Sequence, residues 1–395
     1  MKQACNFTAA LLAAALLAAC GSSGVPARGS PANAAQPPSI SESVLHRFSG
    51  EPGDGANPFA GLLNVNGTLY STTSAGGSHD AGTVYSVTAS GKETVLHSFA
   101  GGSKDGREPL AGLVNVDGTL YGTTRFGGTN DLGVVFSIKP SGKERVLHSF
   151  YGSNGAEPAA GLLDVNGRLY GTTSFGGGGG YGTVFAITTS GKLTVLYTFG
   201  ETSDESGEPY GGLVKLNGAL YGTTAIGGAH GYGTVFLITT SGKEQVLYSF
   251  TGYSGASPMA GLIDVSGTLY GTTTGGGATG EGTVFAITPS GTETVLHSFG
   301  ATQDDGANPY AGLLNVNGTL YGTTAYGGVE GCGSNNCGTV FSITPSGTET
   351  VLHSFGFHTR DGRSPYSALV SVNGRLYGTT YQGGAGYGTV FSVTP

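Results

Sequence analysis

Three glutamates that each stand directly before a proline are the first residues of this 395-residue chain that could do chemistry. They are Glu108, Glu157 and Glu208. A suitably placed carboxyl group can act as a general acid or base, and carboxylates held together provide the oxygen ligands that calcium prefers. We therefore treat the three residues, here called the acidic arc, as candidates for a catalytic site or a calcium site. The alternative is variation among exposed loop positions.

A second group of candidates is aromatic, and each of these residues directly follows a proline. They are Phe59, Tyr210, Tyr310 and Tyr366. Aromatic rings offer a large apolar surface, and tyrosine adds a hydroxyl that can form a hydrogen bond. We expect all four to contribute to a ligand-binding surface, in which Phe59, Tyr310 and Tyr366 lie on the side opposite the acidic arc.

Histidines recur at one position of a repeated segment and raise the question of a metal site. They are His46, His97, His148, His297 and His353, with Tyr197 and Tyr248 in the other two copies. Because each histidine belongs to a different repeat, the rings are too far apart to share one ion through bonds of about 2 Å. We interpret them as structural residues of the repeat, and the sequence leaves the presence of a metal unknown.

Two cysteines, Cys332 and Cys337, lie inside one unusually long connection near the end of the chain. A local disulfide that fixes this loop is the favoured interpretation, since it suits an oxidising compartment. Zinc is the alternative, but two thiolates provide only half of a tetrahedral site and no other Cys or His adjoins them.

A sevenfold internal repeat defines the elements that must position these residues. The segment L-Y-G-T-T, or a near copy of it, begins at Leu69, Leu120, Leu169, Leu220, Leu269, Leu320 and Leu376. A V-L-H-S-F-like segment and a G-T-V-F-like segment keep step with it. A repeat of nearly 50 residues that contains only strand-like segments is typical of a propeller blade, and no segment sustains the 3.6-residue apolar period of a helix.

Each repeat divides into four predicted strands, A to D, which in the first copy cover 59–65, 68–73, 83–88 and 93–99. Asn66-Gly67 between strands A and B is a two-residue hairpin signal, and Ser90-Gly91 marks the turn between C and D. These two connections keep a constant length, whereas the B to C and D to A connections vary. The variable loops should therefore lie together on one face of the propeller.

The two ends of the repeat region complete one another. The region opens at Val44 with a D strand that lacks its A, B and C strands, and it closes at Pro395 after a C strand that lacks its D strand. We predict a single all-β domain over residues 44–395, a seven-bladed β-propeller of four-stranded blades. The N-terminal strand completes the last blade and removes an exposed sheet edge.

Glycine in strand B, directly after the tyrosine of L-Y-G-T-T, is expected to leave room for a side chain from the neighbouring blade. The tyrosines themselves are interpreted as packing residues, because both faces of a blade are covered by other blades.

The N-terminus carries an export signal. Residues 1–19 form a short apolar signal peptide, and Leu17-Ala18-Ala19-Cys20 resembles a bacterial lipobox, in which cleavage leaves a lipidated Cys20. Residues 20–43 are predicted to be a flexible tether. An ordinary signal peptide with an incidental cysteine is the alternative. We expect a membrane-anchored lipoprotein at the outer membrane or cell surface.

The repeated L-Y-G-T-T-x-x-G-G, G-T-V-F and D-G-x-x-P-x-A-G-L segments resemble the GloVer-type tandem repeat proteins of bacteria. The resemblance covers Val44 to Pro395. In that family the repeat array is joined to varied anchoring signals, and here the signal is of the lipoprotein type. The resemblance implies an exported, surface-attached repeat domain.

Composition narrows the functional classes. Without Lys2 and the rest of the signal, 16 basic and 25 acidic residues give a net charge of −9, which makes nucleic acid an unsuitable partner. We expect a monomer whose only membrane contact is its lipid anchor, with no cofactor apart from the calcium considered above. The favoured function is non-catalytic binding of a glycan, peptide or protein on the loop face. The alternative is an extracellular lyase or hydrolase that uses the acidic arc.

Overall fold

The computed structural model describes residues 42–200, 206–329, 337–356 and 361–395, and these form seven antiparallel sheets of four strands arranged in a ring. We number the blades 1 to 7 along the chain and letter their strands A to D from the central channel outward. The A strands are Leu63–Val65, Val114–Val116, Leu163–Val165, Val214–Leu216, Ile263–Val265, Leu314–Val316 and Val370–Val372. The B strands are Thr68–Thr73, Thr119–Thr124, Arg168–Thr173, Ala219–Thr224, Thr268–Thr273, Thr319–Thr324 and Arg375–Thr380.

The two outer strands of each blade are of similar length. The C strands are Thr83–Val87, Val134–Ile138, Thr183–Thr188, Thr234–Ile238, Thr283–Ile287, Thr339–Ile343 and Thr389–Val393. The D strands of blades 1 to 6 are Glu93–Ser98, Glu144–Ser149, Leu193–Thr198, Glu244–Ser249, Glu293–Ser298 and Glu349–Ser354. A short 3-10 helix, Gly102–Lys104, lies in one loop. The predicted all-β propeller is confirmed.

The closure of the ring is also confirmed. Ser43–Arg47 pairs antiparallel with Thr389–Val393 and serves as strand D of blade 7. The adjoining Phe48 is fully buried and donates its backbone N–H to the carbonyl of Gly388. The N-terminal strand thus covers the sheet edge that blade 7 would otherwise expose.

Tight turns join strands A and B, as the sequence predicts. In blade 1, Asn66 and Gly67 have φ angles of 53° and 84°, the pair of positive values that a type I′ hairpin requires. Residues that tolerate this left-handed conformation are therefore needed at the turn.

Strand A is shorter than predicted, and the physical reason lies in its hydrogen bonding. The ladder of blade 1 covers only Leu63–Val65, and residues 59–62 lie outside it. The carbonyl of Ala60 instead accepts hydrogen bonds from the hydroxyls of Ser71 and of Thr379 in blade 7. The first residues of the predicted strand therefore connect blades rather than extend the sheet.

One hydroxyl per blade repeats this connection around the ring. The first threonine after the strand-B leucine-tyrosine pair donates to a carbonyl near the start of the next blade: Thr72 to Ala111, Thr123 to Ala160, Thr172 to Gly211, Thr223 to Ala260, Thr272 to Ala311, Thr323 to Ser367 and Thr379 to Ala60. The last of these bonds joins residues 319 positions apart and closes the circle. Apolar clusters between neighbouring blades fill the remaining space.

The expectation about the strand-B glycine is wrong in one respect. A Cβ atom placed on Gly122 would lie 2.7 Å from Phe136 and 2.9 Å from Leu113, and both belong to the same blade. The glycine therefore admits the phenylalanine of its own strand C, which is its ladder partner. The strand-B tyrosines pack as predicted, and five of the seven are buried.

The two kinds of variable loop meet on one face, which we call the loop face. Short ladders join the D to A loop to the B to C loop, namely Gly55–Ala56 with Ala75–Gly76, Gly106–Arg107 with Phe126–Gly127, Gly306–Ala307 with Tyr326–Gly327, and Gly362–Arg363 with Gln382–Gly383. Within the described ranges, the structure contains no helix with the length and apolar character needed to cross a membrane.

Candidate functional site at the channel mouth

The central channel contains a cavity of about 130 Å³ whose lining repeats seven times. Each blade contributes the residue after its proline and the two small residues that follow. The seven side chains are Phe59, Leu110, Ala159, Tyr210, Met259, Tyr310 and Tyr366. The sequence-predicted aromatic residues therefore line the channel, and Ala159 is the smallest of the seven side chains.

The residue before each proline adopts a left-handed backbone conformation in all seven blades. The φ angles of Glu108, Glu157 and Glu208 are 54°, 53° and 57°. The N–H of Glu157 donates to the carbonyl of Leu132 in the preceding blade, and its carbonyl accepts from Ser174. Such a conformation is unfavourable for most residues with a side chain, so these paired backbone bonds fix where the acidic arc lies.

Two of the three acidic side chains form ion pairs with arginines. Arg125 contacts the Oε2 atom of Glu157 through both Nε and Nη2 at 2.9 Å. Arg107 contacts Glu108 at 3.1 Å and Asp131 at 2.8 Å. Among the described residues, none of the three glutamates belongs to a group of three potential metal ligands whose atoms lie within 4.8 Å of one another. This arrangement favours ion pairing over calcium binding at the acidic arc.

Glu208, the third member, lies in a different environment. It accepts a hydrogen bond from the hydroxyl of Tyr210 at 3.3 Å. Burial raises the pKa of Glu208 above its ordinary value, although the hydrogen bond from Tyr210 opposes the shift. A carboxyl group that holds its proton more tightly than usual is better suited to donate it as a general acid.

The predicted aromatic residues of blades 6, 7 and 1 form one contiguous cluster, which we call the aromatic arc. Phe59 and Tyr366 stack at 5.1 Å between ring centroids, and Tyr310 meets Tyr366 edge-on at 5.1 Å. The structure adds Tyr326, whose hydroxyl lies 3.1 Å from that of Tyr366, and Tyr381, which meets Tyr366 edge-on. Tyr381 directly follows the T-T pair of strand B, and Tyr326 lies one residue further from its pair. Both positions vary between copies and could have been noticed in the sequence.

A second feature that sequence reasoning missed is the cationic environment of Phe126. The guanidinium carbons of Arg107 and Arg125 lie 4.4 and 4.7 Å from the centroid of this ring. The two arginines that pair with the acidic arc are thus also held by cation–π contacts. Charged and aromatic groups therefore form one rigid patch across blades 2 and 3.

Exposed tyrosines were missed as well, and they are concentrated on the loop face. In the described part of the chain, six large hydrophobic side chains are exposed: Tyr151, Tyr181, Tyr232, Tyr253 and Tyr387 in the variable loops, and Val246 in a D strand. Tyr253 is 88% exposed, and the other four tyrosines are 45 to 57% exposed. The signal was present in the sequence as tyrosines inside the loops of variable length.

The five histidines lie one to a blade, as predicted, and each contacts groups of its own junction between blades. His97, for example, lies 3.3 Å from Asp105 in the following loop, whereas His148 contacts Asn154 at 2.7 Å. Sequence reasoning considered only whether histidines meet one another. It did not consider the acidic residues beside each ring.

Two groups of predicted modification sites fall wholly or partly outside the described residues. Cys20 and Cys332 both lie outside them, and Cys337 is buried at the end of its loop. Lipidation of Cys20 and the disulfide between Cys332 and Cys337 therefore stay predictions.

Comparisons with known proteins agree with the repeat and the fold. The sequence profile described as the Gloeobacter/Verrucomicrobia repeat matches residues 34–236 and 208–395. No curated protein matches the chain.

Among solved structures, the chain is similar to three propeller-containing proteins at low identity. A puromycin hydrolase matches with a TM-score of 0.52 and 13% identity, over 84% of this chain and 50% of that protein. PorZ, a surface component of the type-IX secretion system of Porphyromonas gingivalis, matches with a TM-score of 0.51 and 15% identity, over 87% and 47%. A putative 6-phosphogluconolactonase from Bacteroides uniformis matches with a TM-score of 0.50 and 14% identity, over 80% and 88%. At these identities the likeness concerns the fold alone.

Proposed function

The chain belongs to the Gloeobacter/Verrucomicrobia repeat family, and from this premise we propose that it is a non-catalytic binding module that holds a neutral glycan on its loop face. The observation that carries the proposal is the distribution of exposed tyrosines, all five of which lie in the loops of that face. An exposed tyrosine presents an apolar ring and a hydroxyl at low entropic cost. The C–H faces of a sugar ring can pack against the aromatic ring, and its hydroxyl groups can form hydrogen bonds with the tyrosine hydroxyl.

The channel mouth supports recognition of the same class of ligand. It combines the apolar surface and hydroxyls of the aromatic arc with the fixed charges of Glu157 and Arg125. A few oriented polar groups on a largely apolar wall are the usual composition of a small-ligand site. A terminal sugar entering the mouth would meet hydroxyl, carboxylate and guanidinium groups in fixed positions.

Net charge restricts the ligand. The full chain carries a formal charge of −8, so a polyanionic polysaccharide or nucleic acid would be repelled at long range. A neutral glycan meets no such barrier, and a basic peptide is the competing ligand.

The test is glycan-array screening of the purified protein, followed by titration calorimetry with the best neutral glycan. We expect Tyr253→Ala and Tyr232→Ala to weaken binding about 5- to 30-fold, as loss of a contact aromatic often costs about 1 to 2 kcal/mol. Val246→Ala is the matched control, because this exposed apolar residue lies outside the loop face. Unaltered affinity in both tyrosine variants, or equal loss in the control, would contradict the proposal.

A catalytic function has one specific observation in its favour, which is the environment of Glu208. Burial raises the pKa of this carboxyl, and the hydroxyl of Tyr210 lies 3.3 Å from it. If the protein cleaves a bound glycan, Glu208→Gln should abolish release of reducing ends while leaving glycan binding intact. Absence of any product over long incubation of the unmodified protein with its ligand would exclude this alternative.

We also propose that the module is exported and anchored by lipid at Cys20. The lipobox-like Leu17-Ala18-Ala19-Cys20 supports this location, and Gly21-Ser22 favours sorting to the outer membrane. Cys20→Ser should move the protein from the membrane fraction to the soluble fraction. Unchanged fractionation would contradict lipid anchoring.

The proposed disulfide between Cys332 and Cys337 accords with an oxidising location. Mass spectrometry of peptides from the protein, digested without reductant, should find the two cysteines linked. Free thiols at both positions would contradict the bond.

A further inference from the structure

Four junctions between neighbouring blades contain the same trio of side chains. The histidine of one D strand and the aspartate of the loop that follows it meet a glutamate of the next blade, which is the first residue of the D strand or, for Glu42, the residue directly before it. The trios are Glu42 with His353 and Asp361, His46 with Asp54 and Glu93, His97 with Asp105 and Glu144, and His297 with Asp305 and Glu349. Within each trio, one ligand atom per residue lies within 4.8 Å of the others.

We propose that these four junctions are binding sites for a divalent first-row transition metal such as Zn²⁺, with one ion joining each pair of blades. One imidazole nitrogen and two carboxylates are a ligand set that such ions accept. The nitrogen makes calcium less suitable, because calcium prefers oxygen ligands alone. The sites lie between blades, where the D to A loops supply the aspartates, and the proposal does not depend on the proposed function.

The histidine–aspartate distances in the trios are compatible with two ligands of one ion. The Nε2 atoms lie 3.2 to 3.8 Å from the nearest aspartate oxygen in the four junctions. A charge-assisted hydrogen bond is usually about 2.7 to 2.9 Å long. Two ligands bound to one tetrahedral Zn²⁺ at about 2.0 to 2.1 Å lie roughly 3.3 Å apart.

Unpartnered atoms supply a second, independent observation. The Oε1 atoms of Glu42, Glu93, Glu144 and Glu349 are buried and have no hydrogen-bond partner, and the same holds for Nε2 of His353. A buried polar atom without a partner is costly. A metal ion between the three side chains would provide a partner for the glutamate Oε1 atom and for the histidine Nε2 atom.

The aspartates are held in place for such a role. Asp105 accepts the backbone N–H groups of Ala100 and Gly106 at 2.8 and 2.7 Å, and His97 is fixed edge-on against Phe99 at 4.8 Å. Contacts of this kind orient metal ligands before the ion arrives.

Two other junctions in the described part of the chain have an incomplete ligand set. Where His148 stands, the loop residue is Asn154 and the next D strand begins with Leu193. Where Tyr248 replaces the histidine, Ser254 replaces the aspartate, but Glu293 remains and its Oε1 atom is also buried without a hydrogen-bond partner. The chain therefore contains its own control, since His148 occupies the same position without either carboxylate.

The experiment is a titration of the untagged full-length chain with Co²⁺, after removal of metal by a chelator and buffer exchange. Bound Co²⁺ has visible absorption that depends on its coordination. We expect four ions per chain at saturation, displaceable by Zn²⁺, and a higher melting temperature because the ion binds only the folded protein. His97→Gln and Glu144→Gln should each lower the stoichiometry by one, and His148→Gln should leave it unchanged.

Circular dichroism establishes that each variant is folded, and two variants at one site guard against a folding defect in either. Two results would overturn the proposal: no uptake of Co²⁺ by the unmodified chain, or full stoichiometry in both His97→Gln and Glu144→Gln.

Discussion

At the scale of single residues, equivalent positions of the repeat acquire different chemistry from their neighbours. Glu157 pairs with Arg125, while Glu208, at the same position in the next blade, faces a tyrosine hydroxyl and has a raised pKa. His148 lies beside an amide, whereas His97 lies beside a carboxylate. The consensus sequence of the repeat therefore does not determine the chemical role of a residue in a particular copy.

Arg125 and Glu157 form a half-buried ion pair, with 14% and 21% of their side chains exposed. Arg125→Gln should destabilise the protein by roughly 1 to 3 kcal/mol, because it leaves a partly desolvated carboxylate without its partner. The measurement is urea unfolding, with Arg107→Gln as control. The pair of Arg107 with Asp131 is more exposed and should contribute at most about 1 kcal/mol. Equal effects of the two substitutions would contradict the prediction.

His148 should make the fold sensitive to acid. Burial lowers the pKa of its imidazole below the ordinary value of 6.5, so the unfolded chain takes up the proton first as pH falls. The contribution of neutral His148 to the free energy of unfolding is therefore complete above pH 6.5 and is lost progressively below that pH.

The test compares urea unfolding of the unmodified protein and His148→Tyr at pH 7.5 and pH 5. Tyrosine already occupies this position as Tyr197 and Tyr248 and does not titrate in this range. The unmodified protein should lose more stability than the variant on acidification. A parallel loss in both would contradict the role assigned to His148.

At the scale of elements, the strands are held as much by side chains between blades as by their own ladders. The strand-B threonines donate across each junction, and these hydroxyls are buried. Because an acceptor that loses its donor inside the protein is costly, the short A strands depend on the neighbouring blade for their position.

Thr272→Val tests this dependence, because it removes the hydroxyl that donates to the carbonyl of Ala311 at 2.9 Å. The change keeps the shape of the side chain and should cost about 1 to 3 kcal/mol in urea unfolding. Thr294→Val, an exposed substitution in strand D of the same blade, is the control and should stay within about 0.5 kcal/mol. A cost for Thr272→Val no larger than that of the control would show that the bond contributes nothing.

Sequence reasoning predicted strands B to D and their turns because each has a local signal, such as Asn66-Gly67 or the alternation in strand B. It overestimated strand A because the residues after Pro58 have strand composition but bond to the preceding blade in the ring. The channel-lining aromatics were found through their position after proline. The histidine trios were missed because their third member comes from another repeat, about 40 residues or more away, and no local pattern encodes that contact.

At the scale of the whole molecule, the ring gives the protein one surface on which its repeats differ. Interblade bonds and packing repeat around the circle, whereas the exposed tyrosines, the acidic arc and the aromatic arc belong to individual blades. A closed scaffold can tolerate variation in its loops without loss of the core. Its integrity then depends on the junction where the two ends of the chain meet.

That junction can be tested by comparing two truncated chains, one beginning at Glu42 and one beginning at Ser49. The second lacks the strand Ser43–Arg47 and Phe48, which is fully buried and lies 5.1 Å from the ring of Tyr85. Loss of a buried phenylalanine alone costs about 3 to 5 kcal/mol. With the lost strand pairing added, the melting temperature should fall by roughly 10 °C or more.

A synthetic peptide with the sequence of residues 42–49 provides the decisive control. If the strand closes the ring by pairing with Thr389–Val393, the peptide should raise the melting temperature of the shorter chain in a concentration-dependent manner, because it binds only the folded state. It should have no effect on the chain that begins at Glu42, whose edge is already covered. Equal melting temperatures of the two chains, or a peptide that stabilises both alike, would show that blade 7 does not need its N-terminal strand.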